Sequence, residues 1–194
     1  MVEEKFVEEL KIGDKEAFKK LYNEYAPKIY GILRNYVPPN EIEDALQEVF
    51  LRILKGINNF EGRSKLSTWI YRIAVNVGKD YSKKSNNIQE KTISMENDNY
   101  EEKGDFQPSS DTNVQKQALT ELNYELILNI MEKLNEDERL IIKLRDIDGL
   151  SYSEISEIMN IPIGTVKSKL HYARKKLRKL IEEEKLVWIQ MKKI

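Results

Sequence analysis

Apolar residues recur at intervals of three and four along most of this chain, which predicts helices throughout and no run of strands. Phe18, Leu21, Tyr22, Tyr25 and Ile29 share one helical face, and Pro27 is expected to kink or divide that helix near Ala26. Pro38 and Pro39 break the chain, and Asn40 with Glu43 predicts the cap of the next helix. That helix, EIEDALQEVFLRILKG, turns Ile42, Leu46, Val49, Ile53 and Phe50 inward and stops at Gly56. Asp44, Gln47, Glu48, Leu51 and Arg52 fall outside or at its boundary. A loop, NNFEGRSKLS, uses Gly62 for a turn and Ser67 as the next N-cap. In the following helix Ile70, Ile73, Ala74, Val77 and Tyr81 face inward, with Trp69, Arg72, Asn76, Lys79 and Lys83 on another face.

The pattern then lapses. Ser85 to Gln117 has few large apolar residues, and seven acidic residues are opposed there by Lys91, Lys103 and Lys116. Such a stretch buries too little surface to offset the entropy of ordering it, and reads as a flexible linker. Periodicity returns with Leu119, Leu122, Leu126, Ile130 and Leu134, and Asn135 with Glu138 caps a helix that stops at Gly149. Ser151 and Glu154 stand in S-x-x-E spacing and open a short helix with Tyr152, Ile155, Ile158 and Met159 on its apolar face. Asn160 suits a left-handed cap and Pro162 the first turn of a second helix, striped by Val166, Leu170, Ala173, Leu177 and Leu180. The expected fold is all-α. Two small helical domains, 1–86 and 118–185, are joined by a flexible acidic linker over 87–117, and a tail covers 186–194.

A short helix, a tight turn and a longer basic helix make a helix-turn-helix, which places its second helix in the DNA major groove. The outward face of that helix carries Thr165, Lys167, Ser168, Lys169, His171, Tyr172, Arg174 and Lys175, with no acidic residue among them. The net charge of −1 does not argue against DNA, because local charge sets the field a phosphate backbone meets. With no cysteine and one histidine, neither a metal site nor a cofactor is expected. No His, Cys or Lys sits in a partnered catalytic arrangement, so no enzymatic activity is expected. The N-terminus carries no signal peptide and no apolar run reaches the roughly 20 residues of a membrane span, so the cytoplasm is the expected compartment.

The run L-S-Y-S-E-I-S-E-I-M-N-I-P-I-G-T-V-K-S-K-L closely resembles the promoter-reading segment of sigma-70-type transcription initiation factors, in their extracytoplasmic-function branch. Asp44 to Ile53, D-A-L-Q-E-V-F-L-R-I, looks like the family helix that grips the clamp helices of RNA polymerase core enzyme. Phe60 to Asn76 is similar to the family segment that opens and reads the minus-ten element. The resemblance implies core binding by Asp44, Gln47, Glu48 and Leu51. It implies minus-ten contacts from Phe60, Glu61, Arg63, Ser64, Lys65, Trp69, Asn76, Lys79, Lys83 and Lys84, and minus-thirty-five contacts from the helix-turn-helix. Lys169 and Tyr172 depart from the arginine usual in the family; lysine lacks the planar fork and tyrosine the charge. RNA polymerase core, promoter DNA and an anti-sigma factor are the implied partners, with no insertion into a membrane. Two other readings stay open: a free-standing helix-turn-helix regulator, and third a site-specific recombinase.

Overall fold

The computed structural model describes the backbone of residues 2–91 and 130–191, and side chains over residues 3–84 and 130–184. Among the described residues there are seven α-helices and no strand. The N-terminal four are α1 (Val2–Lys11), α2 (Lys15–Leu33), α3 (Ile42–Gly56) and α4 (Leu66–Lys91). The C-terminal three are α5 (Glu136–Ile142), α6 (Tyr152–Met159) and α7 (Ile163–Met191), with a π-helical turn over Lys143–Ile147 between α5 and α6. Most of the expected linker lies outside the described residues, as does most of the apolar stripe expected from Leu119. At its start α4 continues as helix through residues 87–91, which the composition had placed in the linker.

Asp14 caps α2 by accepting from the Ala17 N–H at 2.7 Å. Pro27 does not divide the helix, which runs on as one element through it. The proline lies on the exposed face, where water can satisfy the Asn23 carbonyl that loses its partner, while Leu21, Tyr25, Ile29, Ile32 and Leu33 hold the inner face. Tyr22, expected in that core, is half exposed and stacks at 4.8 Å on Phe50. The Asn40 cap does not form. Pro39 starts a 3-10 turn over Pro39–Glu41, so Asn40 is already helical and cannot take the extended conformation of a cap.

Ser67 is not a cap either, because α4 starts one residue earlier. The Leu66 N–H instead donates to a carboxylate oxygen of Glu3 on α1, at 2.7 Å. Helix α4 is the centre of the molecule and packs against α2, α3 and α6. It therefore buries more than its expected stripe: Ile70, Ala74 and Val77 are enclosed, and so are Tyr71 and Val75. A Cβ on Gly78 would come within 2.8 Å of the Tyr36 ring, so that position lets the ring lie directly on the α4 backbone.

The helix-turn-helix forms as read. Ser151 and Glu154 make both halves of a capping box, and Asn160 ends α6 in the left-handed conformation, φ 54° and ψ 51°. The Ser156 hydroxyl donates to the Ile161 carbonyl at 2.6 Å and ties the turn. Pro162 stands just before α7, and its carbonyl accepts from the Val166 N–H. Val166, Leu170 and Ala173 are buried, while Leu177 and Leu180 are partly so. A single apolar core runs through both halves, from Val7 to Ala173.

Candidate nucleic-acid interface

Three surfaces gather the candidate residues. On α3, Asp44, Gln47, Glu48 and Leu51 fall at i, i+3, i+4 and i+7 and make one stripe. Asp44, Gln47 and Leu51 are exposed. Glu48 is half-buried and accepts from Arg52 Nε at 2.8 Å, while Arg52 Nη1 reaches Asp80 on α4 at 3.2 Å. Arg52 thus ties α3 to α4, and Glu48 orients its guanidinium. Leu54 is exposed one turn beyond Leu51, an apolar extension that the charged pattern around it did not reveal.

The second surface is the loop before α4 and the outer face of that helix. Phe60 is buried and packs on Trp69 with ring centroids 5.3 Å apart, so it anchors the loop. Trp69 is half-buried between that ring and Gly56. Gly62 turns the tip with φ +71° and open space around it. Glu61, Arg63 and Lys65 project from the tip, with Ser64 partly covered. Arg63 pairs with Glu61 at 2.5 Å. Asn76 is exposed on α4, as are Lys83 and Lys84, and Lys79 is half-buried. Lys65 and Lys79 are not free: Lys65 Nζ lies 2.8 Å from Glu154, and Lys79 Nζ 3.8 Å from Asp137.

The third surface is α7. Lys167, Ser168, His171, Tyr172 and Lys175 are exposed, and the first four cluster in its N-terminal half. Thr165 is half-buried beneath them, and its carbonyl accepts from the Ser168 hydroxyl at 3.1 Å. His171 and Tyr172 meet edge to face at 5.5 Å. Two other cations of the helix turn back into the protein. Arg174 makes a two-pronged pair with Asp146 of the π turn, and Lys169 reaches Asp137 at 3.2 Å. Asp146 and Asp137 hold the guanidinium and ammonium that the sequence placed among outward contacts, and nothing local in the sequence signals those pairings. Among the described residues no group of three or more His, Cys, Asp or Glu could hold a metal ion, and no helix is long and apolar enough to cross a membrane.

Residues 21–88 match the family pattern of Sigma-70 region 2, and residues 124–177 that of Sigma-70, region 4. The chain is 35% identical over 184 residues to the ECF RNA polymerase sigma-E factor of Haemophilus influenzae, covering 94% of this chain and 96% of that one. The Escherichia coli K12 sigma-E factor is also 35% identical, over 176 residues and 91% of its length. The chain belongs to the sigma-70 family, in its extracytoplasmic-function branch. Two solved structures share the fold. CnrH in complex with the cytosolic domain of CnrY aligns with TM-score 0.64 at 17% identity, over 94% of this chain and 99% of that one. The sigma factor RpoE with the anti-sigma factor NepR from Bartonella quintana aligns with TM-score 0.65 at 21% identity, over 85% and 96%. As a sigma factor the chain recognises promoters for RNA polymerase. The regulator and recombinase readings lose their footing, because the N-terminal half is itself a sigma region.

Proposed function

We propose that the exposed stripe Asp44, Gln47 and Leu51 on α3, with Glu48 beside it, binds RNA polymerase core enzyme. In the same reading residues 1–86 form the core-binding and minus-ten domain, and 118–185 the minus-thirty-five domain. On α7, Lys167, Ser168, His171 and Tyr172 reach base edges in the major groove, and Thr165 and Lys175 steady the phosphates, joined by Lys169 and Arg174 when DNA displaces their partners Asp137 and Asp146. On the other domain the loop through Glu61, Arg63, Ser64 and Lys65 receives an unstacked base of the minus-ten strand. Asn76 donates and accepts at a base edge, Lys79, Lys83 and Lys84 hold phosphates, and Phe60 and Trp69 brace the loop from below. No bond is made or broken by the protein; its work is recognition and strand capture. The partners are core enzyme, promoter DNA and, by analogy with the RpoE–NepR complex, an anti-sigma factor.

The observation that carries this reading is the pairing of an intact helix-turn-helix with a loop whose polar tip stands out from a Phe60–Trp69 anchor. Unstacking a base costs a few kcal/mol, so a protein that melts DNA must offer the base another site. The test is retention of core polymerase on the immobilised chain. Asp44→Lys with Gln47→Lys should abolish it, since truncating or opposing a charge partner in such an interface costs about 2–5 kcal/mol. These two positions spare Glu48 and its tie to Arg52. Undiminished retention by the double variant would sink the α3 assignment.

A further inference from the structure

The helix-turn-helix half is docked on the very face of the N-terminal half that is proposed to hold the minus-ten strand. Helix α6 packs along α4. Lys65, in the loop before α4, gives its ammonium to Glu154 at 2.8 Å. Lys79, further along α4, lies 3.8 Å from Asp137. The same Asp137 carboxylate receives Lys169 of α7 at 3.2 Å and the Tyr36 hydroxyl at 3.2 Å. Ser82 of α4 donates to Glu136 at 3.1 Å, and Arg139 donates to the Asn35 carbonyl at 3.2 Å.

Asp137 is thus an oxyanion gripped by one lysine from each DNA-reading element, which is what a backbone phosphate would be. Glu154 does the same for the loop. We infer that Asp137 and Glu154 form an ionic latch: they occupy promoter-binding lysines in the free chain and add to the shared apolar core in keeping the two halves closed over the minus-ten surface.

The closed form cannot be the promoter-bound form. The two promoter elements are named for positions about 25 base pairs apart, and at about 3.4 Å per pair that is about 85 Å of duplex. In the closed chain Lys79 and Lys169 both lie within 3.8 Å of one carboxylate. The latch must open for both halves to read DNA, and DNA phosphate then takes the lysines the acids release. Lys65, Lys79 and Lys169 are all partly exposed, so the latch is screened by salt and weak enough to be undone by a competing surface. This inference rests on the assignment of Lys65 and Lys79 to the minus-ten strand.

The test uses the full chain, whose lack of cysteine lets dyes be placed at Lys19→Cys on α2 and Lys179→Cys on α7. Energy transfer between them reports closure without reference to DNA. In the parent transfer should be high and should fall with added salt. Asp137→Asn with Glu154→Gln keeps shape, and glutamine still serves the capping box. It should lower the closed-to-open ratio about tenfold, the scale of two lost ion-pair clusters. Asp137→Glu, which keeps the charge, should restore closure. Binding of a fluorescent minus-ten non-template strand, without polymerase, should tighten several-fold in the neutral variant. Unchanged transfer in the neutral variant would overturn the latch whatever the lysines do on DNA. Reduced transfer with unaltered strand affinity would overturn the occlusion and the minus-ten assignment of Lys65 and Lys79 beneath it.

Discussion

The carboxylate of Glu3 accepts a hydrogen bond from the Leu66 backbone N–H at 2.7 Å, so α1 caps α4 at the end of the Glu61–Lys65 loop. The first N–H groups of a helix have no internal partner, and an anion there also meets the positive end of the helix dipole. Helix α1 also packs on the 3-10 turn Ile57–Asn59 at the other end of the loop. The loop is braced at both ends by one element.

Glu3→Ala is expected to cost about 1 kcal/mol, as loss of a helix cap does. The urea midpoint should fall with an unchanged slope. An unaltered midpoint would mean that solvent satisfies the Leu66 N–H equally well.

Gly78→Ala is expected to destabilise more than its helix propensity gain would suggest. The new methyl would sit 2.8 Å from the Tyr36 ring, and overpacking of this kind costs about 1–3 kcal/mol. Displacing the ring also carries the Tyr36 hydroxyl away from Asp137. Urea denaturation and dye-reported closure should both register the change, whereas a more stable variant would contradict the packing.

Some local signals in the sequence hold, and others are overridden by their surroundings. The capping box of Ser151 with Glu154 and the left-handed Asn160 depend on residues a few positions apart, so spacing alone carries them. The caps read at Asn40 and Ser67 failed for different reasons. Pro39 pulls Asn40 into a 3-10 turn, and Glu3 reaches Leu66 from another helix, leaving Ser67 inside the first turn. Tyr22 lies at the rim of a stripe wider than the core it meets. Motif points to the candidate residues on α3, the loop and α7. Their partners Asp137, Asp146 and Glu154, and Asp80 opposite Arg52, carry no such mark, because an ion pair across the fold leaves no periodic trace.

The proposed base readers on α7 are expected to behave differently from the proposed phosphate contacts. Ser168→Ala or His171→Ala is expected to change the preferred minus-thirty-five sequence, with about 1–3 kcal/mol of discrimination lost per well-made base contact. Lys175→Ala should weaken all sequences alike and lower the salt slope by about one. Competition binding of holoenzyme to a set of single-base promoter variants distinguishes these outcomes. An unchanged preference for both base-reader variants would move recognition elsewhere on the helix.

Acid should loosen the contact between Glu154 and Lys65. Hydrogen bonds from Lys65 and then from the Ser151 hydroxyl and N–H hold the Glu154 carboxyl down to about 2, against an ordinary 4.5. A group whose folded value is depressed contributes stability above its unfolded value and loses it as pH falls towards the folded one. The stability difference between the parent and Glu154→Gln should therefore hold above about pH 5 and shrink from there towards pH 2. Urea midpoints for both proteins across that window check it; a difference independent of pH would show that the charge contributes nothing.

Capture of a minus-ten base between the Glu61–Lys65 loop and Asn76 is the step proposed to couple promoter recognition to strand opening. Its most direct measurement is a permanganate footprint of holoenzyme on a cognate promoter, as duplex and with a preformed bubble, for the parent and Asn76→Ala. The expected result is opening of the duplex by the parent, loss of opening by Asn76→Ala, and near-equal occupancy of the bubble by both, with core binding unchanged. Normal opening of the duplex both by Asn76→Ala and by a variant with the Glu61–Lys65 loop replaced would contradict base capture at this site.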